Sequence, residues 1–280
     1  LEARLAEAAD HVHDLKLMEA DRDAWKARAD KAEAERDEKI VAVTAAGISL
    51  LCWYNHRGGP GLRGWAAALL DMNGALAAER AQGLGPQHSG WACDVTDASA
   101  VKACVAEVVA QHDRIDALVN NAGIADQTAP TLEQSVDAFD QVLAVHLRGA
   151  FLMSQQVIAQ MQQQQRDAQG NRGAIVNIGS IASFGGIPGR NAYSAAKAGI
   201  LGMTRALASE WARQGIRVNA VAPGYVKTAL VASLVERGAI DAQAIARRAP
   251  MGRMATPEEI ARVIGFLASP QASYVTGAVL

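Results

Sequence analysis

The chain has 280 residues, with 27 Lys and Arg against 29 Asp and Glu and a formal net charge of −2 at pH 7. Half of the residues are hydrophobic, which is enough for one large core or two small ones. The balanced charge argues against a protein that binds nucleic acid through its net field. No apolar run reaches the ~20 residues of a membrane span. Three cysteines without Cys-x-x-Cys spacing favour a reducing, cytoplasmic compartment.

The first 39 residues differ in composition from the rest. They contain 12 acidic and 8 basic side chains and no Gly or Pro, which predicts one long helical extension. Its apolar side chains follow the alternating steps of four and three of a coiled coil, at Leu1, Leu5, Ala8, Val12 and Leu15. A dimerising or docking helix and a solvated extension both fit this pattern. His11 and His13 fall on different helix faces, so no metal site is expected there.

From residue 40 onward, short apolar runs alternate with helical stretches. The runs lie at 40–45, 66–70, 115–123, 173–180 and 216–224. Continuous apolar strands of this kind are buried on both faces, as in a parallel sheet covered by helices. The pattern predicts a single Rossmann-type, doubly wound α/β domain over 40–280, with its ligand at the carboxyl ends of the strands.

The strongest chemical pattern lies between residues 180 and 197. Tyr193 and Lys197 stand four apart in a stretch of strong helix propensity, so both side chains fall on one helical face. A nearby ammonium favours the phenolate form of a tyrosine, which makes Tyr193 a candidate general acid and base. Ser180 ends an apolar strand thirteen residues earlier, where its hydroxyl can bind a substrate oxygen.

Together with VNNAG at 119–123 and VAPGYVKT at 221–228, this spacing resembles the short-chain dehydrogenase/reductase family. The resemblance covers about residues 40–280. It implies hydride transfer between a nicotinamide cofactor and an alcohol/carbonyl pair. By resemblance, Tyr193 transfers the proton, Lys197 assists it and binds the nicotinamide ribose, and Ser180 orients the carbonyl.

The resemblance also assigns cofactor-binding residues at the ends of other strands. It places Asp94 at the adenine amino group with the Val95 backbone beside it, Asn121 beside the adenosine and stabilising the central strand, and Val226 and Thr228 at the nicotinamide carboxamide and the phosphates.

The choice between NAD and NADP depends on Asp71, which ends the predicted second strand. A carboxylate there accepts hydrogen bonds from both hydroxyls of the adenosine ribose and repels a 2′-phosphate, so NAD(H) is expected. A simple turn-forming role before Asn73-Gly74 fits the same position.

The sequence departs from the family pattern in three places. The glycine-rich phosphate loop is disrupted: only Gly47 remains near its expected place, and residues 48–63 resemble no family segment, as a local change of reading frame would produce. Gly58, Gly59, Gly61 and Gly64, with Arg57 and Arg63, fit either an irregular loop or a substitute anion-binding loop. His146 replaces the usual Asn of the active-site helix and stays a candidate catalytic residue, or a core histidine. The chain stops at YVTGAVL, so an incomplete last strand with an exposed edge is expected.

The expected activity is therefore an NAD(H)-dependent oxidoreductase acting on a secondary alcohol, polyol or sugar, or on the matching ketone. A 3-oxoacyl-thioester reductase is the enzymatic alternative, and a catalytically silent scaffold with the N-terminal helix as its binding element is the other. By family resemblance, helices at 134–162 and 192–213 would pair in a homodimer or homotetramer. The expected partner is a small molecule, with no nucleic acid and no membrane.

Overall fold

The computed structural model describes residues 49–54, 65–236 and 241–280. The helix predicted for residues 1–39 and the strand predicted for 40–45 lie outside these ranges.

Six strands form one sheet in the order β3-β2-β1-β4-β5-β6. They are β1 (Ser49–Tyr54), β2 (Trp65–Asp71), β3 (Ser89–Ala92), β4 (Ala117–Asn120), β5 (Gly173–Ile178) and β6 (Ile216–Val221). The strand pairs β2–β3, β4–β5 and β5–β6 are parallel. The strands predicted at 66–70, 115–123, 173–180 and 216–224 are all present, and the Rossmann-type α/β fold is confirmed.

The prediction of a parallel sheet is wrong at one strand. β1 runs antiparallel to both neighbours, with Ser49 opposite Leu70 and Tyr54 opposite Trp65. Parallel neighbours need a crossover of about a dozen residues or more, which is usually a helix. Only residues 55–64 separate β1 from β2, and the run Gly58-Gly59-Pro60-Gly61 within them opposes a helix. The short connection therefore reverses the chain direction.

Helices cover both faces of the sheet. They are α1 (Gly74–Leu84), α2 (Ala98–His112), α3 (Val136–Leu143), α4 (Ala150–Gln163), α5 (Ala182–Gly185), α6 (Asn191–Trp211), α7 (Ala229–Glu236), α8 (Ala242–Arg248) and α9 (Pro257–Ala268). Alternate strand residues point to opposite faces. Leu118 and Ile175 therefore join one core with α2, α4 and α6, whereas Val119 and Val176 join the other with α1 and α9.

A continuous helical run joins α3 to α4 through a π-helical turn at Ala144–Gly149. The run Val136–Gln163 has the length of a membrane span and contains an 18-residue window with a mean hydropathy of 1.3. Its side chains Leu152, Met153 and Val157 lie in the core against the sheet, which accounts for this hydropathy without a membrane.

The last residues of the chain pair with β6. Gly277 donates its N–H to the Val218 carbonyl at 2.8 Å, and Leu280 donates to the Ala220 carbonyl at 3.1 Å. Residues 277–280 therefore lie along β6 and cover its edge as far as Leu280. Whether the final family strand is incomplete stays a prediction.

Gly90 in β3 gives a test of how closely the helices pack on the sheet. A Cβ added there would lie 2.2 Å from the backbone C of Ala77 and N of Ala78 in α1. We expect Gly90→Ala to lower the free energy of unfolding by about 1–3 kcal/mol, the usual cost of overpacking. Gly83→Ala is the matched control on α1, because nothing lies within 4 Å of its added Cβ. The control should leave stability unchanged or raise it by up to ~1 kcal/mol. Urea unfolding measures both, and equal effects would contradict the close approach.

Candidate active site

The carboxyl end of β5 and the first turns of α6 bring Tyr193 and Lys197 together, as predicted. The Lys197 side chain is buried, and its Nζ donates to the Ile178 carbonyl at 2.7 Å. The same Nζ lies 5.7 Å from the centroid of the Tyr193 ring. Burial lowers the pKa of Lys197 to about 8, because a low-dielectric environment disfavours the ammonium.

Ser180 lies in the loop that follows β5, and hydrogen bonds tie this loop to α6. Its N–H donates to the Ser183 Oγ at 3.1 Å, and the Ser183 hydroxyl donates to the Lys197 carbonyl at 2.7 Å. The Ser180 Oγ accepts from the Ala182 N–H at 3.1 Å. Because this oxygen only accepts, the hydroxyl proton of Ser180 is left to donate to a ligand.

His146 lies on the π-helical turn, and its imidazole packs edge-on against Tyr193, with ring centroids 5.5 Å apart. Its Nε2 lies 3.1 Å from the Ile124 N and 2.9 Å from the Ile124 O, so it bonds this backbone unit in either tautomer. Burial, and next the charge of Lys197, lower the pKa of His146 to about 4. The ring is therefore neutral at neutral pH.

Two residues that contact Tyr193 are absent from the sequence analysis. Asp126 accepts the Tyr193 N–H on its Oδ2 at 3.0 Å, although 67 positions separate them. The Arg190 guanidinium carbon lies 4.5 Å from the centroid of the Tyr193 ring. The start of α6 gave an indirect signal for Asp126. Arg190 precedes this helix and its side chain does not cap it, so the free N–H groups of the first turn of α6 need an acceptor from elsewhere in the chain.

A buried amide chain lies at the same end of β4 and β5. Asn120 Nδ2 donates to Asn177 Oδ1 at 2.8 Å, and Asn177 Nδ2 donates to Thr204 Oγ1 at 2.9 Å. Asn121 was predicted to stabilise the central strand; its neighbour Asn120, which was not predicted, makes the first of these bonds. Asn121 follows β4 as a half-buried residue.

The residues predicted for the adenosine lie at the carboxyl ends of β2 and β3. Asp71 ends β2, and its Oδ1 accepts the Asn73 N–H at 2.7 Å, so the turn-forming role is present. Asp94 Oδ1 accepts from the N–H and the hydroxyl of Thr96, and Val95 is buried beside it. Asp71 and Asp94 therefore lie at the same end of the sheet as Tyr193, where the parallel strands have their carboxyl ends.

Val226 and Thr228 follow β6. Val226 forms a parallel bridge with Ala255, and the Thr228 Oγ1 accepts the Val231 N–H at 3.2 Å at the start of α7. Both lie in the segment after Pro223-Gly224, and their contact with the nicotinamide carboxamide and the phosphates stays a prediction.

Comparison with known proteins identifies the family. The family model described as enoyl-(acyl carrier protein) reductase matches residues 62–280. The chain is a member of the short-chain dehydrogenase/reductase family. It is thus related to oxidoreductases that act on CH–OH or carbonyl groups.

Individual relatives cover much of this short-chain dehydrogenase/reductase. An uncharacterized family member of Sinorhizobium fredii is 43% identical over 75% of this chain, but the match spans only 37% of that protein. D-threitol dehydrogenase of Mycolicibacterium smegmatis is 38% identical over 86% of this chain and 90% of its own length. The crystal structure of an NAD⁺-bound xylitol dehydrogenase matches with a TM-score of 0.73 and 31% identity, over 88% of this chain and 92% of that one.

The disrupted phosphate loop and the suggested substitute loop fall on residues 44–48 and 55–64, which lie outside the described residues. Both stay predictions.

The depressed pKa of His146 predicts a pH-dependent stability. The unfolded imidazole titrates near pH 6.5 and the folded one near 4, so between these values the unfolded chain binds more protons. Stability therefore falls as the pH drops from 6.5 to 4. Between pH 7 and 5, the free energy of unfolding of His146→Asn should fall by about 1–2 kcal/mol less than that of the wild type. Urea unfolding at the two pH values measures the difference.

His112, whose pKa is also lowered to about 4, is present in both proteins and cancels in the difference. An identical pH dependence of the two proteins would contradict the neutral, buried state of His146.

Proposed function

We propose that the protein is an NAD(H)-dependent oxidoreductase acting on a secondary alcohol, polyol or sugar, or on the matching ketone. The observation that carries the proposal is the buried Lys197 ammonium near the Tyr193 ring, with the Ser180 hydroxyl on the loop hydrogen-bonded to the same helix. When bound, the nicotinamide accepts or supplies the hydride.

In the oxidative direction, the Tyr193 phenolate takes the proton of the substrate alcohol, and in reduction the Tyr193 hydroxyl donates its proton to the carbonyl oxygen. The Ser180 hydroxyl donates a hydrogen bond to the same substrate oxygen. The positive charge of Lys197 stabilises the phenolate that this exchange requires. These groups hold and move a proton where an alcohol would meet a bound cofactor.

The described residues fit a dinucleotide at both ends. At the adenosine end, Asp71 uses one carboxylate oxygen in its turn, and the other has no hydrogen-bond partner in the described part of the chain. At the nicotinamide end, Lys197 and Tyr193 lie side by side. Asp71 favours NAD over NADP, because a carboxylate at this place repels a 2′-phosphate.

The polyol or sugar class is favoured by the coverage of its relatives, since the D-threitol and xylitol dehydrogenases match nearly end to end. The family model, named for an acyl carrier protein substrate, supports the 3-oxoacyl-thioester alternative. A silent scaffold is the third candidate.

We also propose that the protein works as a homo-oligomer. An open apolar groove of about 480 Å³ lies along α3, α4 and α6, the helices expected to pair between subunits, and the exposed Phe151 lines it with Leu147 and Met203. Two such faces would cover each other in a pair of copies.

Tyr193→Phe tests the proton transfer, because it keeps the ring and removes the hydroxyl. We expect kcat with NAD⁺ and a polyol such as threitol or xylitol to fall about 10²–10⁴-fold, the usual contribution of general acid–base catalysis. Binding of NADH, measured as a thermal shift, should be unchanged. Tyr274→Phe is the matched control, since Tyr274 is fully exposed.

Equal rates in wild type and Tyr193→Phe would contradict the mechanism. Absence of a thermal shift at millimolar NADH in the wild type would favour the silent scaffold.

Asp71→Ala tests the choice of cofactor. The substitution removes the acceptor for the ribose hydroxyls and the charge facing a 2′-phosphate. We expect the ratio of kcat/KM for NAD⁺ over NADP⁺ to fall at least ~10-fold, as the loss of a charge-assisted hydrogen bond implies. Asp137→Asn, an exposed carboxylate in the first turn of α3, is the control. An unchanged ratio in Asp71→Ala would show that Asp71 forms its turn and does not select the cofactor.

A further inference from the structure

Arg190 sets a positive charge directly on the face of the Tyr193 ring, with 4.5 Å between its guanidinium carbon and the ring centroid. Its Nε is buried and has no hydrogen-bond partner. No ion pair found in residues 65–236 and 241–280 includes Arg190. Charges removed from water are normally paired, so a half-buried guanidinium on the face of the Tyr193 ring that has no ion pair requires an explanation.

The backbone of this arginine is firmly positioned. Its N–H donates to the Ile187 carbonyl at 3.0 Å, and its carbonyl accepts from the Ser194 N–H and hydroxyl at 3.1 and 2.8 Å. The preceding Gly189 carbonyl accepts from the Ala129 N–H and the Gln134 amide. The side chain therefore starts from a fixed point at the edge of the site.

The other charged groups around Tyr193 do not neutralise Arg190. The Asp126 carboxylate accepts the Tyr193 N–H at the start of α6. Lys197 adds a second positive charge, and His146 is neutral at neutral pH because burial lowers its pKa. The amino-terminal end of α6 contributes a further partial positive charge. Two cations and a helix terminus thus face one carboxylate, which makes the site electropositive.

We infer that Arg190 binds an anionic group of the substrate, so that the substrate is a hydroxy or oxo compound carrying a carboxylate. This inference deepens the proposed function and rests on it for the reaction at the carbonyl. A guanidinium bonds a carboxylate through two parallel N–H groups, which would fix the distance between the anionic group and the reacting carbon.

The test is a binding measurement that does not need turnover. The full chain is titrated with cyclohexanecarboxylate and with the neutral cyclohexanecarboxamide, and binding is followed by calorimetry or ligand-observed NMR. We expect the carboxylate to bind at least ~10-fold more tightly than the amide, and Arg190→Gln to abolish the difference. Arg190→Lys should keep part of the preference, because it keeps the charge and loses the fork. Arg262→Gln, a change at an exposed arginine on α9, should keep all of it.

A kinetic measurement with NAD⁺ uses 4-hydroxycyclohexanecarboxylate and its carboxamide as substrates. Arg190→Gln should raise KM for the acid at least ~10-fold relative to KM for the amide. Equal binding of acid and amide by the wild type would overturn the inference, and so would an equal loss for both in Arg190→Gln. Retained preference for the acid without turnover of any alcohol would instead contradict the proposed function.

Discussion

The arrangement of the site depends on one buried cation. Lys197 is only 6% exposed, and its Nζ donates to the Ile178 carbonyl at the last residue of β5. Removing an ammonium from water costs several kcal/mol, and one carbonyl offsets only part of that cost. The lowered pKa of Lys197 expresses this imbalance. A ligand or a phenolate beside the ammonium would supply the missing compensation, so the strain of burial favours a negative charge at Tyr193.

The same lysine also organises the backbone around it. Its carbonyl accepts the Ser183 hydroxyl, whose oxygen accepts the Ser180 N–H, so helix α6 and the loop after β5 are fixed together. Further along α6, the buried amides of Asn120 and Asn177 join β4, β5 and α6. These buried hydrogen bonds favour one geometry, because a shift of either strand would leave their donors unpaired. The fold therefore determines where Ser180 and Tyr193 lie relative to each other.

Local patterns predicted much of this from the sequence. The strands β2, β4, β5 and β6 are continuous apolar runs, and the spacing of Tyr193 and Lys197 fixes a shared helix face. β1 was not predicted, because Ser49–Tyr54 lies within residues 48–63, which resemble no family segment. Its direction also left no local signal, because an apolar run does not state which way it enters a sheet. Asp126 and Arg190 were missed for a related reason: a contact across 67 residues, or one between a charge and a ring face, leaves no periodic signal.

The histidine at position 146 shows how a departure from the family pattern can be accommodated. An imidazole is larger than an amide, and the room for it comes from Gly123, where an added Cβ would lie 2.5 Å from the His146 Cε1. The ring bonds the Ile124 backbone through Nε2, so the loop after β4 stays anchored to the π-helical turn. Its Nδ1 is buried and has no hydrogen-bond partner in the part of the chain that the structure describes. Burial keeps the ring neutral and avoids a third positive charge beside Lys197 and Arg190. His146 thus anchors the loop after β4 without adding a positive charge beside Tyr193, and it leaves one nitrogen unsatisfied.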